Sequence, residues 1–175
     1  MHQRPTRGRV AIEEGAADCS RVHARASLSG MSTRDREGAP AIDADTGTYH
    51  GKPVARRFVS TDGFVVLVGR TAADNDILTF KLGGPLDFWL HVSGQSGSHV
   101  IVRNPEGIDR LPRETLRFAA ALAAGYSKAR NAGRVAVHVA QCRDVRKPRG
   151  VPPGTVTLQQ FTSVHVTPAR APGDN

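Results

Sequence analysis

The sequence predicts an α+β domain, built on a single mostly antiparallel sheet of about seven strands with two helices packed on it. Three observations lead there. Short β-branched runs separated by turn residues recur from residue 51 onward. Only two segments carry helical signals, so helices do not alternate with strands as a parallel sheet requires. The length, 175 residues, suits one domain with a real core plus a tail.

Residues 1–50 are rich in Ala, Gly, Arg, Asp and Ser, and their isolated aliphatics follow neither a 3.6 nor a 2.0 period. Such a stretch buries too little surface to offset chain entropy, so it is expected to be a disordered or mis-called tail, with Met31 a candidate for the true start. The domain is expected over 51–168, with a flexible terminus at 169–175. "RRFVS", "TDG" and "FVVLVGR" read as two strands around a tight turn at Asp62 and Gly63. "DNDILTFKL" reads as a short helix that Asp74 caps and Gly83-Gly84 stops.

Strands over 87–92 and 98–103 follow, joined through Gly and Ser. If they pair across that loop, opposite residues have numbers summing to 190, so His91 faces His99, Trp89 faces Ile101 and Asp87 faces Arg103. Even positions then present Phe88, Leu90, Val92, Val100 and Val102 to the core. Odd positions present Trp89, His91, His99 and Arg103 on the other face, and a one-residue slip would mix the two. Pro112 opens a helix running to about Arg130, with Leu116, Ala119, Ala120, Ala123 and Ser127 on one narrow face. "RVAVHVAQ" alternates as a strand, "RDVRKPRGVPPG" is a basic proline-interrupted loop, and "TVTLQQ" and "SVHVTP" read as closing strands.

Charge narrows the function. The formal net charge is +8, and residues 1–50 carry seven Arg against seven acids, which leaves 17 basic and nine acidic residues in 51–175. A compact basic domain points to a polyanion. Lys128, Arg130, Arg143, Arg146, Lys147 and Arg149 fall within 25 residues that hold one acid, Asp144. Phosphate contacts by such side chains release counterions and supply affinity for nucleic acid. Lys128 and Arg130 equally suit the negative end of a helix dipole.

The two histidines leave three readings open. They are part of a polar recognition face on which Trp89 stacks a base, or ordinary strand residues, or a metal or catalytic pair. The last lacks a third ligand at motif spacing, with His138 and Asp87 the available recruits, so neither a metal nor a cofactor is expected. Cys19 and Cys142 show no CxxC spacing, which fits a reducing cytoplasm. The amides after Gly69 and Arg70 offer an anion site, although Asp74 and Asp76 compete for them and Asn75 is expected to fix the turn.

Four segments in order, "DGFVVLVGRTAADNDILTFKL", "DFWLHVSGQSGSHVIVR", "LPRETLRFAAALAAGYSKAR" and "VAVHVAQCRDVRKPRGVPPGTV", resemble the NFACT-R domain, the RNA-binding domain of NFACT ribosome quality-control proteins. D-x-W-x-H, G-S-H-V and V-R-K-P-x-G carry the resemblance, and Gly69, Arg70, Asn75, Asp76, Asp87, Trp89, His91, Gly97, Ser98, His99, Lys147, Pro148 and Gly154 fall on the motif. Ser96 stands where family members often have Pro. The resemblance, to the standalone bacterial form, implies a cytoplasmic, non-catalytic module for tRNA or ribosomal RNA, with the ribosome as a further partner. The expected RNA-contacting residues are Arg70, Trp89, His91, His99, Arg103, Lys128, Arg130, Arg143, Arg146, Lys147 and Arg149. The alternative is an enzyme of RNA or nucleotide metabolism using His91 and His99 as acid/base groups or metal ligands.

Overall fold

The computed structural model describes residues 42–170. Its first elements are three two-residue strands, β1 (Ile42–Asp43), β2 (Thr48–Tyr49) and β3 (Lys52–Pro53), which form a small antiparallel sheet. Residues 42–50 therefore do not belong to the disordered tail expected at 1–50. Strands this short carry no readable period, and turn chemistry holds them instead. Asp43 Oδ1 accepts from the amides of Asp45 and Thr46 at 2.9 and 3.1 Å, and Gly47 takes φ +71 where a Cβ would meet that of Ala55 at 2.7 Å. The rest of that tail, Met31 included, and residues 171–175 lie outside the described residues.

β4 (Ala55–Val59) and β5 (Val65–Gly69) form the expected hairpin, with Gly63 at φ +86 in its turn. Asp62, in the same turn, reaches across to α2 (Arg113–Gly125). Its carboxylate accepts from the Thr115 amide at 3.1 Å and from the Thr115 hydroxyl at 2.6 Å, satisfying a donor in the first turn that lacks an intrahelical partner.

α1 (Ala72–Ile77) starts earlier than expected, because Thr71 and not Asp74 is its cap. Thr71 is extended, its hydroxyl accepts from the Asp74 amide at 3.1 Å, and it donates back to Asp74 Oδ2 at 2.8 Å. The capping pair is thus Thr-x-x-Asp, with the acid inside the first turn. A π-helical turn, Leu78–Leu82, continues the helix to the glycine stop.

β6 (Phe88–Val92) and β7 (Val100–Val102) pair in the expected register, Phe88 opposite Val102, Trp89 opposite Ile101 and Leu90 opposite Val100. β8 (Val135–Gln141) pairs with β6 and brings His138 opposite His91. β9 (Val145–Arg146) and β10 (Thr157–Leu158) pair only with each other, and β11 (Thr162–Val166) closes the edge. The main sheet has six strands in the order β11-β8-β6-β7-β5-β4, every neighbour antiparallel. "TVTLQQ" was expected to be one of about seven strands, but its Thr157–Leu158 strand pairs only with β9, and Val156 and Leu158 pack over one face of the sheet.

That sheet is covered on both sides. α2 lays Ala119, Ala120 and Ala123 against Val66, Val68, Leu90, Val100, Val102 and Val137, the narrow small-residue contact its sequence predicts. On the opposite face Leu78, Leu82, Val54 and Val145 cover Leu67, Trp89 and Ile101. The odd-numbered side of the histidine hairpin is therefore a second core.

α2 ends at Gly125, five residues short of expectation, because the next residues pair with the hairpin loop. Ser98 N donates to Tyr126 O, Lys128 N donates to Ser96 O, and Gly97 bridges Ser127. Residues 169 and 170, expected in the flexible terminus, are docked on α2. Ala169 N donates to Ala121 O, Arg170 Nε donates to Gly125 O, and a Cβ on Gly125 would lie 2.0 Å from Ala169 O. Asp62→Ala removes the α2 contact without touching either core, and is expected to cost about 1 kcal/mol, read as a lower urea midpoint at unchanged slope.

Candidate functional site

The histidine pair forms as the register requires, with ring centroids 5.4 Å apart and planes nearly perpendicular. It does not form a surface. His99 is 0 % exposed and Trp89 is 1 % exposed, so neither can meet a ligand by its open face. His99 lies instead at the centre of a latch. Its Nε2 is 3.2 Å from Gly154 O, which can only accept, so Nε2 carries the proton and Nδ1 accepts from the Thr79 hydroxyl at 2.8 Å. Burial, and secondarily the neighbouring His91, push its pKa down to about 4. His91, half-buried, is also lowered, first by burial.

Asn75 and Asp76 complete the latch. Asn75 donates to Gly97 O at 3.2 Å and accepts from His99 N at 3.0 Å. It fixes the turn as expected, and it needs Gly69, where a Cβ would sit 2.1 Å from Asn75 Oδ1. Asp76 accepts from Lys147 Nζ at 2.8 Å and from Gly154 N at 3.1 Å, while Lys147 also donates to Pro152 O at 2.8 Å. Lys147 is thus occupied in tying the proline-rich segment to α1. Arg103, expected on the recognition face, is likewise engaged. It bonds the Asp87 carboxylate, Leu82 O and Asp45 Oδ1, and Asp87 also accepts from the amides of Gly84 and Asn104. These engagements have one cause: elements short in sequence cover the odd face and bury its polar groups, which must then be hydrogen-bonded.

The remaining expected residues are exposed cations in two sets. Arg143, Arg146 and Arg149 lie along the segment leading into and out of β9, where Arg146 Nη1 donates to the carbonyls of Arg143 and Val145. Arg70 and, far from it in sequence, Lys128 and Arg130 share one shallow cavity of about 290 Å³ with Ser96, Ser98 and Tyr126. The bridge between Gly97 and Ser127 brings them together, and no carboxylate lines the cavity.

An open groove of about 790 Å³ adjoins it, the two sharing Ala72, Asn75, Ser96 and Gly97 along their boundary. Trp89 and His91 line the groove together with His138 from β8 and residues 153–158 from the latched segment. Phe161, 51 % exposed, stands at its edge with its ring 4.6 Å from that of His138. Of these, Phe161 carried no signal in the sequence, while His138 entered only as a metal recruit. Among the described residues, no group of three or more His, Cys, Asp or Glu is placed to hold a metal. Both His99 nitrogens are engaged, by the Thr79 hydroxyl and by Gly154 O. Burial pushes the Cys142 thiol up to about 12.

The family model described as the NFACT protein RNA binding domain matches residues 55–160. Curated relatives include the Rqc2 homolog RqcH of Bacillus subtilis, 38% identical over 116 residues, and that of Streptococcus suis, 36% identical over 121 residues. The first match covers 66% of this chain and 20% of the relative, the second 68% and 21%, so the chain spans about a fifth of the length of these proteins. The Drosophila melanogaster homolog of the ribosome quality control complex subunit NEMF is 35% identical over 72 residues, 41% of this chain and 7% of its own. Among solved structures, the C-terminal part of the fibronectin/fibrinogen-binding protein from Streptococcus suis matches at TM-score 0.63 and 31% identity, over 80% of this chain and 52% of that one.

Stability should follow the latch histidine. Because the folded pKa of His99 is about 4 and an unfolded histidine titrates near 6.5, the unfolded chain binds more protons between those values. Stability is therefore retained above about pH 6.5 and falls as pH drops toward 4. Between pH 7 and 4.5 this one group removes roughly 2–3 kcal/mol. His99→Gln, which does not titrate, flattens the dependence by that amount in urea unfolding at the two pH values, whatever it costs at neutral pH.

Proposed function

Because this chain belongs to the NFACT RNA-binding domain family, we propose that it is a non-catalytic RNA-binding module of ribosome quality control. One observation carries the reading. Arg70 and the neighbouring pair Lys128 and Arg130 are gathered from two distant places in the sequence into one cavity free of carboxylates. Three cations lining one cavity repel one another, and an anionic ligand such as a phosphodiester offsets that repulsion. Arg143, Arg146 and Arg149 extend positive charge along a second exposed segment. The excess of basic over acidic residues after residue 50 supplies the long-range attraction.

Transfer RNA or ribosomal RNA is the ligand this reading favours, with cytoplasmic ribosomes as the place of action. The relatives named for ribosome quality control support it. No helix among the described residues is long and apolar enough to cross a membrane. Of the residues expected to contact RNA, the reading keeps Arg70, His91, Lys128, Arg130, Arg143, Arg146 and Arg149. It assigns Trp89, His99, Arg103 and Lys147 to the scaffold that positions them.

The test is titration of labelled tRNA with the full chain at several salt concentrations. Arg70→Ala, Lys128→Ala and Arg130→Ala together should weaken binding and lower the magnitude of the salt slope by about 2–3, at close to one unit for each lost phosphate contact. Affinity and slope equal to those of the parent chain would remove this cavity from the interface.

A further inference from the structure

The groove beside the cation cavity has a lining unlike that of a site for phosphate alone. Trp89 is buried beneath it, its ring 5.7 Å from that of His91. Beside it, half-buried His91 offers one ring N–H and one ring acceptor in its neutral form. Phe161, half exposed next to His138, supplies a flat apolar surface at the rim. No acidic side chain lines the groove.

Donor, acceptor and aromatic face within one concavity, joined along Ser96 and Gly97 to a cluster of cations, have the composition of a nucleotide site. We propose that the groove seats a single unpaired base, against Phe161 and beside His91, while Arg70, Lys128 and Arg130 hold the adjoining phosphate. The inference rests on the RNA-binding reading and sharpens it. A base inside a duplex is stacked and paired, and cannot enter a concave groove, so the preferred ligand is a single-stranded loop, bulge or end. Sequence preference is weak, because stacking on an aromatic ring accepts every base.

The experiment uses the full chain and two probes, a labelled single-stranded RNA of about 12 nucleotides and the blunt duplex it forms with its complement. The single strand should bind more tightly. Phe161→Ala and His138→Ala, both outside the two cores, should raise its Kd about tenfold and leave duplex binding unchanged, whereas Arg70→Ala should weaken both. Trp89, the only tryptophan, gives an independent readout. Its emission should change on adding single strand and stay constant with duplex. Equal affinity for the two probes, unaffected by Phe161→Ala and without a change in Trp89 emission, would overturn the base site and leave the phosphate surface standing. Failure of both probes to bind at low salt would overturn the RNA-binding reading, and this inference with it.

Discussion

The carboxylate of Asp76 and the imidazole of His99 hold two strangers together, a short helix and a proline-rich segment about 75 residues later. Each oxygen of Asp76 takes one donor from that segment, Lys147 Nζ and Gly154 N, and His99 takes the Gly154 carbonyl. Neither β9 nor β10 exceeds two residues, so backbone pairing alone holds this segment weakly. The second core depends on it, since Val145, Val156 and Leu158 pack with Trp89 and Leu78 only while the segment stays latched. The groove depends on it too, because residues 153–158 are one of its walls.

Several residues that fall on the family motif are thus engaged within the fold. Asp87 gathers Arg103, Gly84 and Asn104; Asn75 joins α1 to the loop at Gly97; His99 and Lys147 secure the latched segment. Burial explains why these polar side chains are all paired. A buried carboxylate or imidazole without its partners costs more than the pair contributes, so the members of such a network are kept together. The cations that face solvent lie between these anchors, positioned by them.

The main sheet was legible because its signals are local. The β6–β7 register follows from period-two alternation around a Gly/Ser loop, the β4–β5 hairpin from Asp62-Gly63, and the small-residue stripe of α2 from its 3.6 period. What lay beyond the sequence was the cover on the other face. Two-residue strands at 42–53 and 145–158 have no period to detect, and without them Trp89, His99 and Arg103 look like an open polar face. The cation cavity was half legible. Each of Arg70, Lys128 and Arg130 could be singled out by type and position, but their meeting depends on the bridge between Gly97 and Ser127, a contact across 30 residues with no pattern of its own. Phe161 belongs to the same class, an aromatic whose neighbours come from a strand 23 residues earlier.

The contact between Gly69 and Asn75 has a consequence for how such a sequence can change over time. The amide oxygen of Asn75 occupies the space a methyl group at position 69 would need. Any side chain at 69 must displace the amide that orders Gly97 and His99, so the two positions cannot drift independently. A substitution harmful at 69 becomes tolerable only after 75 has shrunk, and by then the loop has lost its anchor. The two positions are coupled, and Asn75 stands where the cation-lined cavity and the groove share a wall.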